Sequence, residues 1–139
     1  VAQYVSGMAF SNVGLGLVHG MAHTLSAYYD TPHGVACALL LPYIMEYNAD
    51  AAGEKFKYIA QAMEIDTSVM TPEQYKKAAV AAVRKLSADV NIPQKLHEIG
   101  VKEKDIPELA ASAIKDACTP GNPKDATVAD IEALFRKAF

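Results

Sequence analysis

His33-Gly34-Val35-Ala36-Cys37-Ala38-Leu39-Leu40-Leu41-Pro42-Tyr43-Ile44-Met45-Glu46-Tyr47-Asn48 carries a single charged side chain, Glu46, and reads as a helix that is apolar nearly all round. A helix with no polar face has nowhere to turn toward water, so it belongs at the centre of its domain. Pro42 removes one backbone donor inside the run without ending it.

Upstream, Asp30-Thr31-Pro32 reads as a turn and Leu17 to Tyr28 as a helix, while Gly14 and Gly16 break the helical spacing of Tyr4, Val5, Met8 and Ala9. Downstream of Gly53 the pattern becomes amphipathic. Glu54 to Met63 reads as a short helix. Thr71-Pro72-Glu73-Gln74 has the form of a capping box with proline at the first helical position, and Tyr75, Ala79, Ala82, Val83, Leu86 and Val90 behind it form one apolar face. Pro93 marks the end of that segment. Asp105-Ile106-Pro107-Glu108 opens a further helix with Leu109, Ala110, Ala113, Ile114 and Ala117 inward. Thr127-Val128-Ala129-Asp130 opens the last, and Thr119-Pro120-Gly121-Asn122-Pro123 between them is a loop of turn formers. No stretch alternates with period two, and neither repeats nor low-complexity tracts occur. The fold class is therefore all-α, a helical bundle over residues 1–139, of a size suited to one domain with a real core.

The net charge is −3, and Asp30, Glu46 and Asp50 account for it; the remaining residues carry 13 acidic and 13 basic side chains. No basic patch is present, which argues against nucleic acid as a partner. Cys37 and Cys118 lack CxxC spacing and read as reduced thiols of a cytoplasmic protein. The uncharged opening is interrupted by Gln3, Ser6, Asn12, His19, His23 and several glycines, so it suits neither a membrane span nor a signal peptide. Val1-Ala2-Gln3-Tyr4-Val5 enters a helix without a capping residue, from which the chain is expected to begin inside something larger.

Within a region with no charged residue before Asp30, His19, His23 and His33 fall inside fifteen positions. Imidazole nitrogens hold transition metals and exchange protons near neutral pH. His19 and His23 are one helical turn apart on a common face. His33 begins the next helix after the turn, placed to fold back toward them. The pair invites comparison with HExxH proteases, but Gly20 stands where that motif has its Glu, so hydrolysis by that route is not supported. Two histidines plus a carboxylate would make an open divalent metal site, for which Asp30 is the nearby carboxylate. Considered singly, Cys37, Phe10 and Cys118 read as core residues and His97 as a surface one.

The run Gly14-Leu15-Gly16-Leu17-Val18-His19-Gly20-Met21-Ala22-His23, with Thr31-Pro32-His33-Gly34-Val35-Ala36, closely resembles the second signature of the iron-containing (group III) alcohol dehydrogenases. Phe10-Ser11-Asn12 and Cys118-Thr119-Pro120-Gly121-Asn122-Pro123 also look like that family, above all its lactaldehyde reductase, propanediol dehydrogenase and butanol dehydrogenase members. The resemblance implies an oxidoreductase interconverting an alcohol and an aldehyde or ketone with NAD or NADP. In it an N-terminal dinucleotide-binding domain precedes an all-helical iron-binding domain, and this chain resembles the latter part. Carried over residue by residue, it makes His19 and His33 metal ligands for iron(II), with zinc as the alternative ion. His23 becomes the catalytic and cofactor-binding histidine, and Phe10 and Cys118 line the substrate pocket. The family's other two ligands, an Asp and a His, have no counterpart here, so the fragment alone is expected to be inactive.

The competing expectation is a non-enzymatic helical module whose histidines bind a metal or a partner, with Asp30 completing a site beside His19 and His23. Apolar surface left on the helices predicts self-association into a dimer or larger homo-oligomer.

Overall fold

Seven α-helices follow in chain order in the computed structural model, which describes every residue from Val1 to Phe139. They are α1 (Ala2–Val13), α2 (Leu17–Tyr29), α3 (His33–Asn48), α4 (Lys55–Ala62), α5 (Pro72–Asp89), α6 (Ile106–Ala113) and α7 (Val128–Ala138). Single 3-10 turns cover Leu96–Ile99, Glu103–Asp105 and Thr119–Gly121, and no strand is present. No helix is long and apolar enough to cross a membrane.

The uniformly apolar segment is central, as its composition requires. α3 packs against α2, α5 and α7, burying Ala36, Leu39, Leu40, Tyr43 and Ile44. α2 meets it with Leu17, Met21 and Leu25, a stripe at four-residue spacing with no exposed surface. Ile106 and Leu109 of α6 and Ile131 and Phe135 of α7 close the main core. Burying each such side chain contributes about 1.5–3 kcal/mol before ordering entropy is subtracted. A smaller core joins Phe56 and Ala60 of α4 to Tyr75 and Ala79 of α5.

Local chemistry sets the boundaries. Thr71 and Gln74, and Thr127 and Asp130, form reciprocal capping boxes at the starts of α5 and α7. Asp30 closes α2 in the left-handed conformation (φ 52°), a state Asp tolerates better than most residues, and this turn sends the chain back so that His33 opens α3. Asn91 (φ 60°) plays the same part after α5.

Three expectations need correction. The inner edge of α5 drifts from Tyr75 and Ala79 to Ser87, which is buried, while Leu86 and Val90 are 49% and 60% exposed. With 3.6 residues per turn, the stripe inferred from the sequence slides off the contact surface after three turns. α6 ends at Ala113 and Ala117 is exposed. The carbonyl of Ala113 accepts the Thr119 hydroxyl, 2.7 Å away, so the chain turns out of the helix here. Phe10, expected in the core, is 40% exposed on α1, a helix without a buried residue.

The loop after α6 is fastened to the start of α2. Asn122 and Asn48 exchange amide hydrogen bonds, 2.8 Å each way, and Asn122 also accepts from the Leu17 amide and donates to the Lys124 carbonyl. Gly121 lies against the Leu15 carbonyl, and Gly20 of α2 faces the Thr119 hydroxyl; a Cβ on either glycine would collide there. This close seating carries Asp116 and Cys118 to the histidine face.

Candidate metal and proton-transfer site

α2 supplies His19 and His23 on one face, and the turn at Asp30 to Pro32 returns His33 to the same place. The ring centroids of His19 and His33 are 5.4 Å apart, those of His23 and His33 5.3 Å, and those of His19 and His23 6.1 Å. The fold thus gathers all three imidazoles.

Two donor groups emerge from the cluster. In one, a nitrogen of His19, a nitrogen of His33 and the Cys37 sulfur lie within 4.8 Å of one another. Two imidazole nitrogens and a thiol sulfur are donor types that suit a borderline divalent transition metal. Burial and the neighbouring rings of His33 and His23 hold the His19 pKa below its ordinary value, with Asp116 opposing, which keeps a lone pair available on His19 at neutral pH. In the other group, His23 Nδ1 lies 2.8 Å from Asp116 Oδ2, with Cys118 alongside.

Asp116 is itself fixed. Its Oδ1 accepts the Cys118 amide at 2.8 Å, an Asx turn closing on the residue two positions on. Burial pushes the Asp116 carboxyl up, but the Cys118 amide and His23 outweigh it and hold it below the usual carboxylate range. Asp116 is thus an anion at neutral pH that takes the Nδ1 proton of His23 in a hydrogen bond. That bond selects the tautomer whose Nε2 is a free acceptor, and it orients the ring. His23 keeps 41% of its side chain exposed, so the ring has an outlet to solvent.

Cys118 is half-buried beside Asp116, and burial together with the adjacent carboxylate raises its thiol pKa. A neutral thiol in this position is a wall, not a nucleophile. Cys37, expected simply as core, packs one side on the core while its sulfur lies 3.5 Å from His33 Nε2. Phe10 stays on exposed α1. Asp30 belongs to neither donor group: it caps α2 seven positions beyond His23, about 10 Å along the helix axis, so the His19–His23–Asp30 site is not formed. His97 is exposed, with Nδ1 2.8 Å from the Phe139 carbonyl oxygen.

Sequence reasoning missed Asp116, and it gave Thr119 and Asn122 only as members of a turn-forming, family-like loop. Asp two positions before Cys118 at the head of a turn-rich loop is the signal for the Asx turn, but its pairing with His23, 93 positions away, is tertiary.

Solved structures of similar sequence share this arrangement of helices. The family model described as "Fe-containing alcohol dehydrogenase family, C-terminal" matches residues 1–139. Lactaldehyde reductase of Escherichia coli (strain K12) is 55% identical over 139 residues, covering all of this chain and 36% of that protein. 1,3-Propanediol dehydrogenase of Klebsiella pneumoniae is 45% identical over 138 residues, covering 99% of this chain and 36% of that protein. The structure of an alcohol dehydrogenase from Oenococcus oeni superposes with a TM-score of 0.92 at 43% identity, over 96% of this chain and 35% of that one. The fold is that of the helical part of an oxidoreductase. The chain belongs to the Fe-containing alcohol dehydrogenase family, within its C-terminal domain, and spans about a third of the length of these relatives.

Proposed function

We propose that this chain is the metal-holding, helical part of an NAD(P)-linked dehydrogenase that interconverts a small alcohol with its aldehyde or ketone. Residues 1–139 form the latter part of the C-terminal helical domain. The remainder of the protein supplies the dinucleotide-binding domain and two further metal ligands, and the fragment alone does not turn over. The observation that carries this reading is the convergence of three imidazoles with ring centroids 5.3–6.1 Å apart, one of them aligned by an ionised carboxylate.

His19 and His33 hold the ion, iron(II) or in its place zinc. When bound, the divalent ion supplies Lewis-acid polarisation of the substrate oxygen, and the nicotinamide supplies the hydride acceptor. His23 is the catalytic residue and the cofactor's neighbour: with Nδ1 engaged by Asp116, its Nε2 takes the hydroxyl proton of the alcohol and passes it to water at its exposed edge. In the reducing direction the same nitrogen returns a proton to the carbonyl oxygen. Cys118, and Phe10 of α1, line the alcohol pocket, where apolar walls keep water from the reacting carbon. The exposed apolar residues of α1, Tyr4 (73%), Val5 (56%), Met8 (54%) and Val13 (82%), are surface to be covered by the rest of the protein or another subunit, which supports a homo-oligomer. A cytoplasmic location suits a dinucleotide-dependent enzyme with free thiols.

The test is metal content and NADH oxidation with short aldehydes in the full-length protein and its His33→Ala variant. Loss of both metal and activity is expected. Unchanged iron and unchanged activity would overturn the ligand assignment.

A further inference from the structure

We infer that Cys37 supplies a third, thiolate donor beside His19 and His33, making a His2Cys face on α2 and α3 that takes a soft or borderline divalent ion such as Zn2+ or Co2+. The inference rests on the reading of His19 and His33 as metal ligands and adds a donor to it.

The geometry is already that of a chelating pair. His33 and Cys37 are four positions apart on α3, so their side chains leave the helix one above the other. Cys37 Sγ is 3.5 Å from His33 Nε2. A tetrahedral zinc ion with Zn–S of about 2.3 Å and Zn–N of about 2.0–2.1 Å holds its sulfur and nitrogen donors about 3.5 Å apart. α3 thus presents the two at the separation a shared ion needs. The His19 nitrogen lies within 4.8 Å of both, whereas two nitrogens on one tetrahedral ion are about 3.3 Å apart, so closure needs at most about 1.5 Å of side-chain movement.

The backbone beneath the pair is held firmly. Ala36 and Leu40, flanking Cys37 by one and three positions, are fully buried in the main core, and α2 and α3 are packed against each other there. Ion binding breaks the S–H bond of Cys37, forms a sulfur–metal bond and releases one proton to solvent, with no change of oxidation state. Sulfur in the donor set favours zinc and cobalt over harder ions. The second donor group does not compete in the same way: both oxygens of Asp116 are occupied, one by His23 and one by the Cys118 amide.

Cobalt(II) titration of the metal-free full-length protein reads this directly, because thiolate ligation adds a near-ultraviolet sulfur-to-cobalt charge-transfer band to the visible d–d bands. The band is expected in the parent protein and in Cys118→Ser, and absent in Cys37→Ser, where affinity falls at least about tenfold, the loss that even an outer-shell partner brings. X-ray absorption of the zinc form should show one sulfur at about 2.3 Å. If d–d bands form and vanish in His33→Ala but no charge-transfer band ever appears, the thiolate ligand is overturned and the histidine ligands stand. A charge-transfer band that disappears with Cys118 instead overturns the assignment to Cys37. Cobalt binding unaffected by His19→Ala and His33→Ala overturns the histidine reading, and absence of cobalt binding overturns the His2Cys face.

Discussion

Replacing Gly20 with Ala should destabilise the protein although it improves local helix propensity. Gly20 is buried on α2, and a Cβ there collides with the Thr119 hydroxyl, which is itself hydrogen-bonded to the Ala113 carbonyl at 2.7 Å. To admit a methyl group the Thr119 side chain must withdraw, which breaks its bond to the Ala113 carbonyl and leaves the buried hydroxyl without an acceptor, at about 1–3 kcal/mol. Forcing the α2 backbone and the loop apart costs about 1–3 kcal/mol more. Alanine returns about 1 kcal/mol through helix propensity. The net is a loss of about 3 kcal/mol, within a range of about 1–5, and a fall in Tm of about 10 °C for a chain of this size. Urea and thermal unfolding followed by circular dichroism measure it. Gly34→Ala on α3, where an added Cβ meets nothing within 4 Å, is the control and should be neutral or slightly stabilising. Since Thr119→Ala vacates the space, the Gly20→Ala/Thr119→Ala pair should lose less than the sum of the single changes. A Gly20→Ala protein as stable as the parent would refute the seating of the loop on α2.

Asp116→Asn should remove the charge that orients His23, lowering kcat of the full-length enzyme more than it raises KM while leaving metal content intact; a normal kcat would exclude the positioning role. The same substitution should alter acid stability. The Asp116 carboxyl is depressed in the fold, so its contribution is present above the unfolded pKa of about 3.9 and lost as pH falls through the lower folded value. The acid limb of an unfolding-versus-pH curve should therefore be shallower in Asp116→Asn than in the parent. Thr127→Ala, which deletes the cap of α7 and leaves the Asp130 amide without its partner, should cost about 1 kcal/mol in urea unfolding.

Features written in local chemistry were legible in the sequence. The capping box at Thr71, the helix start at Thr127, the turn from Asp30 to Pro32 and the central place of α3 follow from residues within a few positions of each other. The histidine face was legible for the same reason, since one helical turn relates His19 to His23 and one connecting turn returns His33. What escaped was decided at long range. Asp105 heads α6, yet its carboxylate accepts the Tyr29 hydroxyl at 2.6 Å instead of capping the helix. Asp116 acquires its partner from α2, and α6 stops short because Thr119 claims the Ala113 carbonyl. The outer half of α5 was misjudged because Leu86 and Val90 continue an apolar spacing past the point where neighbouring helices remain to meet it.

The amide pair of Asn48 and Asn122 bears on how the protein ages. Asn122 serves four hydrogen bonds that tie α3, the start of α2 and its own loop together. Deamidation would turn its donor nitrogen into an anionic oxygen facing the Asn48 and Lys124 oxygens, undoing the fastening at one stroke. That reaction begins with attack on the side-chain carbonyl by the backbone nitrogen of the following residue. Here the following residue is Pro123, whose nitrogen carries no hydrogen to lose. The residue on which the loop depends most is thus shielded from the commonest route of asparagine decay by its immediate neighbour.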